Sequence, residues 1–155
     1  MDGYLLLKTV HVISAAILFG TGLGIAFFFL VGLRSSDVAG AYVAARTTVI
    51  ADMLFTLTAG IVQPTSGFAM IRMAGIDPLS RWLVWTYALY ALALGCWLPV
   101  VWLQLRLRNM LIAKSRGETI DEARLGRYFR IWFALGWPAF LGLVAVFWLM
   151  VAKPV

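Results

Sequence analysis

Few side chains in this sequence can do chemistry, and the most distinctive is His11, the only histidine of the chain. It lies in the apolar stretch LLKTVHVISAAILFGTGLG, three residues after Lys8, so the two side chains share one face of a helix. A lysine can extend its ammonium group to a membrane surface, whereas an imidazole is too short to do so. An ionisable group inside such a segment is costly and indicates a function by default.

A histidine in a helical bundle, among small and aromatic side chains, is a typical axial ligand for haem iron. From the rise of a helix we expect His11 about 10 Å below the outer membrane surface. At that depth haem propionates would reach the interface, where Lys8, Arg72 and Arg81 can pair with them. Met70 is the candidate second ligand, and five-coordinate haem or a site shared between two protomers are alternatives. The structural alternative for His11 is a hydrogen bond to a serine, threonine or tyrosine of a neighbouring helix.

Asp52 is a carboxylate inside an apolar segment. Such carboxylates serve proton paths or form buried ion pairs. Arg106 and Arg130 begin at the same face of the membrane, and we favour an ion pair of Asp52 with one of them over a proton path. The tract GIVQPTSGF places further polar side chains around Pro64. Because this proline removes a helical hydrogen bond, neighbouring side chains or waters must satisfy the freed carbonyl.

The elements that must position these side chains are membrane helices. Of the 155 residues, 63% are hydrophobic and 13% are charged, whereas globular chains are nearer half apolar and a quarter charged. Four runs are long enough to cross a bilayer. The sequence therefore predicts helices over about residues 4–33, 47–73, 79–106 and 129–152, with a cytoplasmic loop over 107–128. Short connections predict one all-α domain over residues 1–155, an up-down-up-down four-helix bundle.

The distribution of Lys and Arg predicts the orientation of the bundle. The first and third loops hold nine of the 13 basic residues, so the positive-inside rule places both termini outside, in the periplasm of a bacterial inner membrane. This topology accounts for the net charge of +6, which therefore does not indicate a nucleic-acid partner. One cysteine and one histidine are fewer than the ligands that a protein-only metal cluster needs.

Three polar tracts indicate helix starts. Asp77 followed by Pro78 is a capping acid before a proline, which favours a start of the third helix there. The tract from Thr119 to Glu122 has the pattern of a capping box, so we expect the fourth helix to begin as an amphipathic cytoplasmic segment. Asp37 can start the second helix early in the same way.

Four tracts are distinctive at the family level: YLLLKTVHVISAAILFGTGLGIAFFF, ADMLFTLTAGIVQPTSG, CWLPVVWLQLRLR and WFALGWPAFLGLVAVFWLMVAKP. In these tracts, and over nearly its whole length, the chain resembles the bacterial predicted integral membrane proteins of domain-of-unknown-function family 2269. The resemblance implies a four-helix inner-membrane protein and supplies no established activity.

The first tract is also similar to the first helix of HemJ-type membrane protoporphyrinogen oxidases, which carry a Lys-x-x-His-like stretch there. That family is a small helical bundle that binds haem b through this histidine, so the similarity implies that His11 is a haem ligand. The family also has a functional lysine in a later helix. The third helix here, RWLVWTYALYALALGCWLPVVWLQLRLR, contains no lysine, which argues against porphyrinogen oxidation and leaves haem binding.

Together these features favour a small inner-membrane haem-b-type protein in redox or haem-related chemistry, with His11 as the axial ligand. A different class is a non-catalytic membrane subunit or assembly factor. It would pack against partner helices, or against a second copy, through a ridge of small residues, Ala16, Gly20 and Gly24. A third class is a small-molecule channel or transporter, which the prolines inside three helices favour. The lipid bilayer is the partner common to all three.

Overall fold

The computed structural model describes residues 2–154, most of which are helical. The helices in chain order are α1 (Asp2–Arg34), α2 (Val38–Ala51), α3 (Leu57–Ala74), α4 (Arg81–Ser115) and α5 (Glu122–Ala152). A π-helical segment, Asp52–Thr56, joins α2 and α3 into one continuous span, Val38–Ala74. The described residues therefore contain four spans that are long and apolar enough to cross a bilayer, which confirms the predicted all-α four-helix membrane fold.

Two helices begin earlier in the chain than the hydropathy pattern predicts, because the aspartates Asp37 and Asp121 cap them. The Asp37 carboxylate accepts a hydrogen bond of 3.0 Å from the backbone N–H two residues later, and α2 begins at Val38 instead of near residue 47. Asp121, and not Thr119, caps α5 by accepting from the N–H three residues later at 2.9 Å. Because α4 also runs past residue 106, the polar connection predicted over 107–128 is reduced to residues 116–121.

The connection between α3 and α4 is a turn. α3 ends at Gly75, whose φ of 63° lies in the left-handed region that favours glycine. The Asp77 carboxylate then accepts from the Leu79 N–H at 2.9 Å, and its carbonyl accepts from the Ser80 N–H at 3.1 Å. Asp77 therefore caps this turn, and the third span begins only at Arg81.

The spans pack as two pairs that meet at one end of the bundle. α4 lies along α5, whereas α1 lies along α2, the π-helical segment and α3 in succession. α2 also packs on α4, and a buried cluster around Phe29, Leu107 and Trp132 fills this end. The Phe29 ring meets the Trp132 indole edge to face, with centroids 4.9 Å apart. We call this the basic end, because it carries most of the Lys and Arg residues, and the opposite end the terminal end.

Toward the terminal end, side chains bridge the α1/α3 pair and the α4/α5 pair. On one side, the Tyr90 hydroxyl donates to the Gly60 carbonyl at 2.5 Å. Gly60 is four residues before Pro64, so its carbonyl has no helical N–H to accept from, and Tyr90 satisfies it as the sequence led us to expect for a neighbouring side chain. On the other side, the Phe19 and Phe140 rings stack with centroids 5.0 Å apart. An interior cavity lies between these bridges.

Candidate functional site

The cavity has a volume of about 690 Å³, and all four spans line it. Its walls are almost entirely apolar. Seven lining side chains are also exposed large hydrophobic residues: Leu23, Phe27, Leu57, Ile61, Leu94, Phe133 and Trp137. The cavity therefore reaches the lipid-facing surface. Along α5 its lining extends from Trp132 to Leu143, about 16 Å at the rise of a helix.

The polar side chains of the cavity gather toward the basic end. Asp52 and Gln104 are each 1% exposed. Asp52 Oδ1 accepts a hydrogen bond of 3.2 Å from the Trp97 indole N–H. Asp52 Oδ2 has no partner among the described residues, and neither do Thr56 Oγ1, Gln104 Oε1 and Trp132 Nε1. These residues come from the π-helical segment, α4 and α5. We call them the polar cluster: Asp52, Thr56, Trp97, Gln104 and Trp132.

The π-helical segment brings Asp52 and Thr56 to the cavity. The Leu57 N–H donates to the Asp52 carbonyl five residues back, so this turn holds one residue more than an α-helical turn. One extra residue rotates the following helix by about 100°. α2 can therefore bury Ala45 against the basic-end cluster, while α3 buries Ser66 against α1. Single π-helical turns inside α-helices are found frequently at functional sites.

Asp52 has no cationic partner in the described residues. The Arg106 guanidinium lies 5.2 Å from the centroid of the Trp102 ring, and Arg130 Nε donates to the Gly126 carbonyl at 3.4 Å. The predicted ion pair of Asp52 with Arg106 or Arg130 is therefore not formed. The reason is the helix face: Arg106 and Arg130 each lie two residues from a residue of the polar cluster, Gln104 and Trp132, and two residues turn a helix by about 200°. Both arginine side chains therefore leave their helices on the exposed side, away from Asp52.

His11 belongs to a separate network that joins α1 to α3. The Ser66 hydroxyl lies 2.8 Å from His11 Nδ1 and donates its proton to the Val62 carbonyl at 2.6 Å. In the tautomer that agrees with this donation, Nδ1 carries the proton and donates to Ser66; in the other tautomer, Ser66 donates to Nδ1 instead. Gln63 Nε2 donates to the His11 carbonyl at 2.7 Å and to Ser14 Oγ at 2.9 Å. The bond to Ser66 is the structural alternative that the sequence left open for this histidine.

The surroundings of His11 do not fit a haem enclosed within one chain. A Cβ atom added to Gly67 would lie 3.4 Å from His11 Cε1, so the imidazole packs directly on α3. His11 lines neither the 690 Å³ cavity nor a second cavity of about 260 Å³ between α1 and the Leu54–Val62 region. The larger cavity carries Asp52, whereas propionates would need cations there. Haem binding at His11 stays a prediction from the sequence.

The other predicted haem-site residues lie on the same side of the bundle as His11. Lys8, Arg72 and Arg81 are exposed near the terminal end. Met70 is half-buried on α3, one turn beyond Ser66. The hydrogen bonds that connect His11 to its surroundings run to Ser66 and Gln63 and involve none of these four residues.

Sequence reasoning singles out Asp52 but misses the residues that surround it. Thr56, Trp97, Gln104 and Trp132 look ordinary in their own helices, and their common site depends on which helix faces meet. The one available signal is Gln104, an uncharged polar side chain near the end of an otherwise apolar run. A polar residue at such a position needs an internal partner or a cavity.

Comparisons with known proteins agree with this architecture. No curated protein and no solved structure matches the chain. A family described as predicted integral membrane protein, domain-of-unknown-function family 2269, matches residues 5–154. This range includes the polar cluster and the His11 network and nearly the whole of the four spans. The chain therefore belongs to this family of integral membrane proteins, domain-of-unknown-function family 2269.

Proposed function

We propose that this protein is a membrane carrier that binds a lipid-soluble small molecule in the cavity between its two helix pairs. The observation that supports this function is the cavity itself. It combines a volume of about 690 Å³, an apolar wall that reaches the lipid-facing surface, and a buried polar cluster at one end. Small-molecule sites typically have volumes of about 300–1,000 Å³ and few polar groups, which orient the ligand.

Burial of the polar cluster lowers the stability of the fold, so a purely structural role does not account for it. A buried polar atom without a hydrogen-bond partner destabilises a protein by about 1–3 kcal/mol. Ionisable residues within a membrane span mark substrate or ion pathways. The π-helical segment and Pro64 interrupt the span beside the cavity, and interrupted helices line the substrate sites of many carriers. These features favour the transporter class among the three classes that the sequence leaves open.

A variant that fills the cavity tests this function. Gly136 lines the cavity, and a Cβ atom added to it meets no atom within 4 Å, so Gly136→Leu is chosen to fill part of the cavity. Gly126→Leu on the same helix is the matched control, because its Cβ atom is also free and lies outside the cavity. The probe is 1-pyrenemethanol, detected by saturable energy transfer from the tryptophans of the purified protein.

We expect Gly136→Leu to weaken binding of this probe at least about tenfold, whereas Gly126→Leu binds like the wild type. Both variants should unfold no lower than the wild-type temperature, since the Cβ position is free at both glycines and leucine favours helix more than glycine does. Equal affinity of the two variants for the probe would show that the cavity is not the binding site.

A second candidate is the membrane subunit that packs through its small residues. A Cβ atom added to Gly20 or Gly24 meets no atom within 4 Å, so this ridge is not used for close packing within the described part of the chain. Small residues let a partner helix approach closely. Cross-linking in membranes should then give a dimer or a stable complex that Gly20→Leu abolishes. A monomer that Gly20→Leu leaves unchanged would contradict this candidate.

Haem chemistry at His11 is the remaining proposal, and it requires a site shared with a second copy. The contact of Nδ1 with Ser66 supports it, because a histidine ligand typically donates from its other ring nitrogen to a fixed partner, and the tautomer with its proton on Nδ1 leaves Nε2 for the iron. The purified protein should then show a reducible Soret band that His11→Ala removes and Ser66→Ala retains. A colourless, folded preparation from haem-supplied cells would count against the proposal.

A further inference from the structure

We infer that the cavity selects lipophilic cations, that is, apolar molecules with a protonated amine that binds at the polar cluster. This inference rests on the proposed function, because it names the substrate class of the same site. The arrangement that supports it is a buried carboxylate without a cationic partner among the described residues, held by the Trp97 indole N–H, at one end of an apolar cavity.

The free hydrogen-bonding atoms of the polar cluster are mainly acceptors. Gln104 Oε1 can only accept, Asp52 Oδ2 only accepts in the ionised carboxylate, and the Thr56 hydroxyl can accept as well as donate. A protonated primary amine supplies three N–H donors from one nitrogen, so its donors match these acceptors in number and type. A carbonyl ligand supplies no donor, and a hydroxyl supplies one. The Trp97 N–H holds Oδ1, which orients the carboxylate and leaves Oδ2 for the ligand.

The charge of the site favours a cation for a second reason. A carboxylate in a low-dielectric interior is strongly destabilised unless a positive charge compensates it. Residues 2–154 do not provide that charge, because the guanidinium of Arg106 is engaged at Trp102 and Arg130 bonds to a backbone carbonyl. An ammonium group on the ligand would provide it. An anionic ligand would be repelled at the same position.

The aromatic side chains of the lining complete the recognition. Trp97 presents its N–H edge to Asp52, so it orients the carboxylate and is not a cation–π partner at that point. Six further rings line the cavity: Phe19, Phe27, Tyr90, Phe133, Trp137 and Phe140. These rings suit a flat or branched apolar body of the ligand. The ligand would thus lie with its amine toward the basic end and its apolar part toward Phe19 and Phe140.

A matched pair of probes tests this selectivity. 1-Pyrenemethylamine is protonated at neutral pH and differs from 1-pyrenemethanol only in its polar group. Both are titrated into the full-length protein in nanodiscs of uncharged phosphatidylcholine, so that the membrane does not itself attract the cation. We expect the wild type to bind the amine at least about 30-fold more tightly than the alcohol. Asp52→Asn keeps the size of the side chain and removes its charge, so amine binding should weaken far more than alcohol binding and the preference should fall to about onefold.

Other results of these titrations would contradict either the cation selectivity or the proposed carrier function. Equal binding of amine and alcohol by the wild type would overturn cation selectivity and leave the proposed carrier function intact. An equal loss of both probes in Asp52→Asn would overturn it too, since Asp52 would then act through the fold. If Asp52→Asn does not fold, the preference of the wild type for the amine over the alcohol tests the cation selectivity by itself. Binding of neither probe, or no difference between Gly136→Leu and Gly126→Leu, would refute the proposed function itself.

Discussion

The hydrogen bond from Tyr90 to Gly60 leads to a test of how this fold tolerates a proline inside a span. Pro64 has no N–H, so the Gly60 carbonyl lacks its helical donor, and the Tyr90 hydroxyl replaces that donor at 2.5 Å. Tyr90→Phe keeps the ring and removes the donor. A buried carbonyl without a partner costs about 1–3 kcal/mol. Hydrogen bonds between membrane helices average about 0.6 kcal/mol and reach about 1.7 kcal/mol.

We expect Tyr90→Phe to lower the free energy of unfolding by about 1–1.5 kcal/mol. This is near the upper end of the range for hydrogen bonds between membrane helices, because the Gly60 carbonyl has no second donor among the described residues. In a Pro64→Ala background the helix supplies an N–H to Gly60. There the same substitution should cost less than about 0.5 kcal/mol. The two substitutions should therefore be coupled by about 1 kcal/mol.

The assay is reversible unfolding by sodium dodecyl sulfate in mixed micelles, followed by circular dichroism, for the four members of this double-mutant cycle. Tyr87→Phe is the matched control, since the Tyr87 hydroxyl is buried on the same helix without a partner and its ring stacks on Phe68. It should leave stability unchanged within about 0.5 kcal/mol. The reasoning is refuted if Tyr90→Phe costs the same with and without Pro64, or if Tyr87→Phe costs as much as Tyr90→Phe.

Three further predictions concern packing and the polar groups. Gly32→Ala should destabilise the protein by about 1–3 kcal/mol, because its Cβ atom would lie 2.6 Å from the Cβ atom of Ala44, whereas Gly24→Ala on the same helix should be neutral or stabilising; unfolding curves distinguish them. Ser66→Ala should cost about 1–2 kcal/mol in the same assay, since it leaves His11 Nδ1 without its partner, and a cost near zero would contradict the bond. Asp52→Asn should raise the free energy of unfolding by about 1 kcal/mol or more, because it removes a buried carboxylate that has no cation; a loss of stability would show that the fold requires the charge.

The number and type of the spans can be predicted from this sequence because the bilayer restricts the alternatives. Long apolar runs are stable there only as helices whose backbone hydrogen bonds are internal. The residue at which a helix begins is set instead by side chains that cap its free backbone N–H groups. Residues 38–46 include Arg46 and several small side chains, so hydropathy places the second helix near residue 47, whereas Asp37 starts it at Val38.

The candidate site can be predicted only in part. Asp52 stands out as an ionisable group in a span, and the carbonyl freed by Pro64 is expected to need a partner. The identity of that partner cannot be predicted, because Tyr90 is 30 residues away and reaches Gly60 only through packing. The polar cluster depends on the π-helical segment, which sets the rotation of α3 relative to α2 and has no local sequence pattern.

The meeting of the two helix pairs at one end also determines how the molecule can move. The half that contains Phe29 and Trp132 is stiff, since a contiguous buried cluster ties the α1, α2, α4 and α5 segments together there. In the other half, the contacts between α1/α3 and α4/α5 are fewer: the hydrogen bond of Tyr90, the contacts of Phe19 with two rings of α5, and the stack of Phe68 on Tyr87. We therefore expect the two helix pairs to separate more easily at the terminal end than at the basic end. Entry of a molecule from the lipid side would then leave the packed half beside Asp52 in place.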